Sequence, residues 1–391
     1  MKKTIIAASL TALAMGPAFV GASEYTAKGQ TITVDGGEDP SSDSAMKLIG
    51  GWHYDKNTGK NDLNHSASNT NITLTGGTFD ELIGGNHIKQ PGTDRYDLKI
   101  GNTHVTLSGE GSVTYFIGGS KANNADNTVL TTGDVTAVIS GGTVTGSAMS
   151  WGNKDKISVV GGSYVKSTGA GGGTPASTTA ETGDISLSIS GGTFTGAVFG
   201  GSVADNYGKE QASDSSLPDL SITTGVSSLL IEGGTFQSSD HENPKNYDFG
   251  VFGGSAALGQ KSSTESSGSS VIIDAKKAID IKGRVVGGDL LGFGGSGKNA
   301  TSSTINGSTS VSITGSEKIE TSESVIGGSL LHLTLDGESS SSSISGTSSV
   351  FVDAENATLG DEVIGGSYVR QRDSKVTNTA SVTVESTSVT I

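Results

Sequence analysis

The residues of this 391-residue chain that come nearest to a catalytic or binding motif lie at 292–299, Gly-Phe-Gly-Gly-Ser-Gly-Lys-Asn. A G-x-x-x-x-G-K-[ST] loop cradles phosphates on its backbone amides, and its hydroxyl residue ligates magnesium. Lys298 stands at the lysine position, but Asn299 replaces the hydroxyl and no strand–loop–helix context surrounds it, so the segment reads as a glycine-rich corner. The six histidines, His53, His65, His87, His104, His241 and His332, show no H-E-x-x-H or other ligand spacing, and each reads as a surface-loop residue. No G-x-S-x-G elbow and no Gly-Asp-Ser-Gly phrase is present. Cysteine is absent, which removes disulfides, zinc–thiolate sites and thiol nucleophiles.

Two constellations carry carboxylates near a base: Asp274, Asp280 and Arg284, and Asp361, Glu362 and Arg370. Parallel β-helix enzymes that cut polysaccharides need clustered carboxylates, or a basic residue beside them, on one face. Ordinary solvated charge accounts for these residues equally well. Trp52, Tyr54, Tyr164 and Tyr368 flank Gly-Gly corners; the alternatives there are sugar stacking and coverage of strand edges. No EF-hand loop or G-G-x-G-x-D nonapeptide points to calcium. The expectation is no catalytic residue, no cofactor-binding residue and no metal ligand.

The elements that would position any site are announced by a phrase written nine times, two apolar residues followed by Gly-Gly. It runs from Leu48-Ile49-Gly50-Gly51 to Val363-Ile364-Gly365-Gly366, with first glycines 34, 34, 43, 39, 53, 34, 40 and 38 residues apart. Periods in this range mark stacked repeats, each burying its apolar face against its neighbours. Ahead of the phrase comes period-2 alternation, as in Ile185-Ser-Leu-Ser-Ile189, ending in another Gly-Gly. Each unit therefore reads as strand, Gly-Gly corner, short strand, Gly-Gly corner and polar loop. Glycine fits corners that need positive φ or close backbone approach. The expected fold is all-β: a single elongated parallel β-solenoid over 24–391, a right-handed β-helix of about nine Gly-Gly repeats. At ~4.8 Å between strands it would be roughly 45 Å long with one coil per repeat, or about twice that with two.

Low-complexity stretches at 169–182, 204–219, 237–248, 261–270, 297–308 and 338–348 read as surface loops, and 149–153 as a degenerate corner. The last strand begins at Val382 and the sequence ends at Ile391, before its corner phrase, so the repeat domain is expected to be C-terminally incomplete.

Residues 1–22 have the form of a secretory signal peptide, with Lys2 and Lys3, an apolar run from Ile5 to Leu13 and small residues before a cut after Ala22. A net charge of −15 disfavours nucleic acid and anionic lipid as partners. The leader, together with the Ile-Ser-Gly-Gly-Thr-Phe and Val-Phe-Gly-Gly-Ser phrases of 24–391, resembles the passenger region of bacterial autotransporters and adhesin-like β-solenoid proteins. That resemblance implies a non-enzymatic cell-surface, outer-membrane or secreted protein of a Gram-negative bacterium. It would act in adhesion or self-association on a protein or glycan ligand, with a translocating outer-membrane barrel in the full-length parent. The alternative class is a carbohydrate-active parallel β-helix enzyme, a polysaccharide lyase or glycoside hydrolase.

Overall fold

The computed structural model describes residues 24–27, 31–34, 47–55, 68–89, 96–123, 127–148, 156–167, 177–206, 218–237, 250–292, 300–333, 339–371 and 378–391. The leader at 1–22, the corner at 149–153 and most of the phosphate-loop-like stretch lie outside these residues. The described residues form strands and turns with no helix. Strands pair in parallel, save one short antiparallel contact between Ser147–Ala148 and Lys156–Val160. They build sheets of 17, 9 and 14 strands. We call these the corner, inner and hydroxyl sheets, and the chain visits each in turn, in a solenoid-like parallel β fold.

The paired apolar residues of the phrase explain how the layers pack. In register, Leu48, Leu82, Phe116 and Val159 stack as one column of the corner sheet. Ile49, Ile83, Ile117 and Val160 stack as the next column. The first column lies in the core shared with the hydroxyl sheet, and the second in a separate core against the inner sheet. Consecutive rather than alternating apolar residues are what a strand buried on both faces requires. Each fully buried side chain of this size contributes about 1.5–3 kcal/mol. Aromatic members stack directly, Phe199 on Phe252 with ring centroids 4.9 Å apart and Phe194 on Phe236 at 4.9 Å.

The two kinds of Gly-Gly serve different ends. At the first corner the second glycine takes positive φ, 112° at Gly192 and 129° at Gly234, where an L side chain is strained. At the second corner the cause is crowding: a Cβ on Gly118 would strike the Gly161 carbonyl oxygen of the next repeat and come within 2.7 Å of Val135 Cγ1. Successive corners hydrogen-bond directly, Gly84 N–H donating to Ile117 O at 2.9 Å and Gly85 N–H to Gly119 O at 2.8 Å.

The inner sheet holds nine strands in sequence order, from His53–Asp55 to Tyr368–Gln371, one after each Gly-Gly phrase. Past it the chain enters the hydroxyl sheet, in stretches read from sequence as loops. Ser262–Ala275, Thr301–Ile305 and Ser339–Ala354 are strands, which corrects the loop readings at 261–270, 297–308 and 338–348. Thr178–Thr182 is likewise a strand inside the stretch 169–182. The physical reason is that hydroxyl side chains face inward and are buried there. Ser262, Thr264, Ser266, Ser340 and Ser342 are all less than 4% exposed. Ser262 donates to the Leu258 carbonyl at 2.7 Å, and Thr301 bonds Ser340 at 2.6 Å. The final strand, Thr379–Thr390, starts three residues before Val382 and pairs with Ser339–Ala354.

Candidate functional site

The residue after each Gly-Gly turns into the stack, and there the sequence places Asn86, Ser120, Ser163, Ser202, Ser255, Asp289, Ser329 and Ser367. Each side chain accepts the backbone N–H of its counterpart one repeat earlier. Trp52 N–H donates to Asn86 Oδ1 at 2.9 Å, Asn86 N–H to Ser120 Oγ at 3.1 Å and Ser120 N–H to Ser163 Oγ at 3.2 Å. The ladder continues through Ser163 to Ser202 at 3.0 Å, Ser202 to Ser255 at 3.1 Å and Ser255 to Asp289 Oδ1 at 2.7 Å. It closes with Asp289 to Ser329 at 3.2 Å and Ser329 to Ser367 at 2.9 Å. A corner packed this tightly has no room for water, so its orphan amides need an internal acceptor.

Asp289 is the ionisable rung. It is fully buried and its second oxygen accepts the hydroxyls of Thr264 at 2.8 Å and Ser303 at 2.7 Å. Burial pushes its carboxyl above the ordinary range, outweighing the stabilising hydrogen bonds from Ser303, the Ser255 amide and Thr264. A second set of hydroxyls ties the hydroxyl sheet to the corners. Thr70 donates to the Gly84 carbonyl at 2.7 Å, Thr103 to Gly118 at 2.8 Å and Ser269 to Gly287 at 2.7 Å.

The densest chemistry sits between the corner and inner sheets in the first repeats. His53, His87, Lys121 and Tyr164 occupy one column of the inner sheet. Lys47, Glu81 and Tyr115 form the facing column of the corner sheet. Later repeats fill the inner-sheet column with Val203, Ala256, Leu290 and Leu330, so a polar interior gives way to an apolar one. Glu81 Oε1 accepts from Lys47 and Lys121, both at 2.8 Å. Lys121 lies over the Tyr115 ring at 4.8 Å and the Tyr164 ring at 5.5 Å. Tyr164 donates its hydroxyl to Asp205 Oδ2 at 2.9 Å, and the His53 and His87 rings stack at 4.7 Å, 6° from parallel.

Burial alone would raise the Glu81 carboxyl, but the charges of Lys121, His87 and Lys47 outweigh it and hold the group well below the carboxylate range. Burial lowers the Lys121 ammonium, against the opposing pull of Glu81. Burial, then the Asp205 charge, drives the Tyr164 phenol far up. Glu81 is 5% exposed, Lys121 3%, Tyr164 1% and His87 0%. At that burial these groups act on one another, as a buried ion-pair network between the two sheets.

These positions correct the surface-loop reading of three histidines: His53, His87 and His332 are buried in inner-sheet strands. His104 faces outward, half-buried, on the hydroxyl sheet, while His65 and His241 lie outside the described residues. Tyr54 and Tyr164 are interior rather than sugar-facing; Tyr54 bonds Tyr96 hydroxyl to hydroxyl at 3.0 Å. Trp52 and Tyr368 are half-buried. The first carboxylate constellation is divided among separate ion pairs. Asp274 meets Lys276 at 2.6 Å, Asp280 meets Lys282 at 2.8 Å, and buried Arg284 reaches Glu323 at 3.0 Å. Asp361 and Glu362 are exposed at a bend. Among the described residues no three His, Asp or Glu side chains are grouped to hold a metal ion.

The outward face of the hydroxyl sheet is the most regular surface. One column runs in register through Thr136, Ser186, Ser228, Ser270, Ser310 and Ser349. Beside it run Ser188, Leu230, Ile272, Ser312 and Phe351, of which Ile272 is 36% and Phe351 42% exposed. Exposed Asn and Asp side chains bridge repeats at the preceding bend: Asn102 N–H donates to Asn69 Oδ1 at 2.9 Å, and Asp184 N–H to Asp134 Oδ1 at 3.0 Å.

Comparison of the chain with protein-family models, curated proteins and solved structures gave no match.

Proposed function

We propose that the chain is a non-enzymatic surface or secreted protein that works by presenting its hydroxyl sheet for adhesion or self-association. The observation that supports this most directly is the in-register hydroxyl column from Thr136 to Ser349 on an acidic chain. Many equivalent weak contacts at a fixed spacing yield avidity without a deep pocket. In this reading the fold is an elongated right-handed β-helix, one coil per Gly-Gly phrase and nine coils in all. The hand follows the general rule for parallel crossovers. Residues 1–22 export the chain, and it belongs to the autotransporter-passenger class at the surface of a Gram-negative bacterium, carried there by an outer-membrane barrel of the parent protein.

The test compares bacteria displaying the parent protein with a deletion strain and with a strain carrying Lys at Ser186, Ser228, Ser270 and Ser310. Displaying cells should aggregate or adhere more than the deletion strain, and the lysine face should abolish the gain. Equal behaviour of all three strains overturns the reading. Release of new reducing or unsaturated ends from polysaccharides by the purified protein would establish the carbohydrate-active alternative in its place.

A further inference from the structure

The first repeats carry a buried pair of imidazoles that the presenting face does not use. His53 and His87 stand at the same register position of adjacent inner-sheet strands, their rings parallel and in van der Waals contact. His87 is completely buried, and both of its ring nitrogens lack a hydrogen-bond partner. Native interiors satisfy such groups as a rule, so an unpartnered buried imidazole marks a place where stability has been given up.

The groups around it decide what protonation does. From its own sheet His87 meets His53 and, one repeat on, Lys121; from the corner sheet it faces Glu81 and Lys47, with Asp80 beside Lys47. On the far side of the inner sheet the packing runs through Ile88, Ala122 and the Tyr54–Tyr96 pair, whose hydroxyls bond each other. Glu81 favours an imidazolium: its Oε1 serves both ammoniums, while its Oε2 has no hydrogen-bond partner. Against it stand full burial, the charges of Lys47 and Lys121, and the second ring.

We propose that the His53–His87 stack is an acid-operated latch: protonation loosens the repeats within residues 47–123 while the later repeats stay assembled. Desolvation, ahead of the charge effects of its neighbours, holds His87 well below the ordinary imidazole range. The folded state then binds fewer protons than the unfolded one, so stability is intact above the unfolded value near 6.5 and falls as pH drops below it. Single-group linkage allows a rise in the opening equilibrium of up to about tenfold per pH unit in that window. The later repeats carry Leu290 and Leu330 at the same register position, so the imidazole stack is not repeated there.

The experiment is backbone hydrogen exchange by mass spectrometry from pH 7.5 to 5.0, corrected for the intrinsic pH dependence of exchange. Corrected exchange in 47–123 should accelerate below pH 6.5, and that in 250–286, a stretch without histidine, should not. His87→Leu, which copies the later repeats, should abolish the acceleration, as should His53→Phe with His87→Phe, which keeps a ring stack. Uniform acceleration along the chain, none at all, or acceleration that survives both variants overturns the latch. Should the variants misfold, the His87 ring resonances of the unaltered protein decide, because titration at or above the ordinary imidazole value overturns the proposal.

Discussion

Asp289→Asn gives the sharpest test of how the corner ladder works. The position is buried, and its Oδ1 accepts the Ser255 amide at 2.7 Å while Oδ2 takes two hydroxyls. Asn86 fills the equivalent position earlier in the stack and accepts the Trp52 amide at 2.9 Å, so an amide fits this corner geometry. In the variant Oδ1 keeps the backbone bond, and Nδ2 donates to a hydroxyl that rotates to accept. What disappears is the unpaired charge. Asp289 is held above the ordinary carboxyl range, so the native state binds the proton more tightly than the unfolded state does. Its charge therefore costs stability at neutral pH, about 1.4 kcal/mol for each unit of that upward displacement. The cost vanishes as pH falls below the unfolded value near 3.9. Urea midpoints at pH 8 and pH 4, supported by exchange of amides 250–292, provide the readout. The variant should be more stable than the parent at pH 8, with the advantage shrinking toward pH 4. A variant less stable at pH 8, or a difference independent of pH, would refute the desolvation argument.

Other substitutions probe the remaining supports. Gly118→Ala would drive a Cβ into the Gly161 carbonyl and should cost more than ~3 kcal/mol by chemical denaturation. Gly366→Ala, whose Cβ would meet only a Thr387 methyl at 3.3 Å, should be tolerated. Glu81→Gln leaves the buried Lys121 ammonium without its carboxylate beside half-buried Lys47 and should cost about 3–5 kcal/mol. Glu81→Leu combined with Lys121→Met should recover most of that loss, and a double variant as unstable as the single one would contradict the assignment. Ser202→Ala orphans the Ser163 amide and should cost ~1–3 kcal/mol, seen as faster exchange at that amide.

The repeat itself was legible because its residues carry contrast. Val, Ile and Phe before Gly-Gly announced a strand buried on both faces, and all nine phrases lead into inner-sheet strands in matching order. The serine runs were not legible. Between Ser339 and Ser343 the inward and outward residues are the same amino acid, so hydropathy has no period although Ser340 and Ser342 are buried. A signal did exist in the Gly-Asn and Gly-Asp dipeptides at Gly101-Asn102, Gly133-Asp134 and Gly183-Asp184, which separate consecutive strands of the hydroxyl sheet. The buried cluster was missed for a related reason. His87 and Lys121 occupy the position that Leu290 and Leu330 fill later, and only alignment of the repeats reveals that a polar type stands in an apolar slot.

The central claim is that successive Gly-Gly phrases stack in parallel, one strand spacing apart. The chain has no cysteine, so pairs of introduced cysteines carry spin labels without background. Thr136 and Ser349 lie five strand spacings apart in the outward column, and Asn71 and Ser349 seven. At ~4.8 Å per spacing the backbone separations are about 24 Å and about 34 Å. Double electron–electron resonance should return two narrow distributions differing by about 10 Å. Broad distributions, or distances that do not grow with the number of phrases between the labels, would contradict the stack.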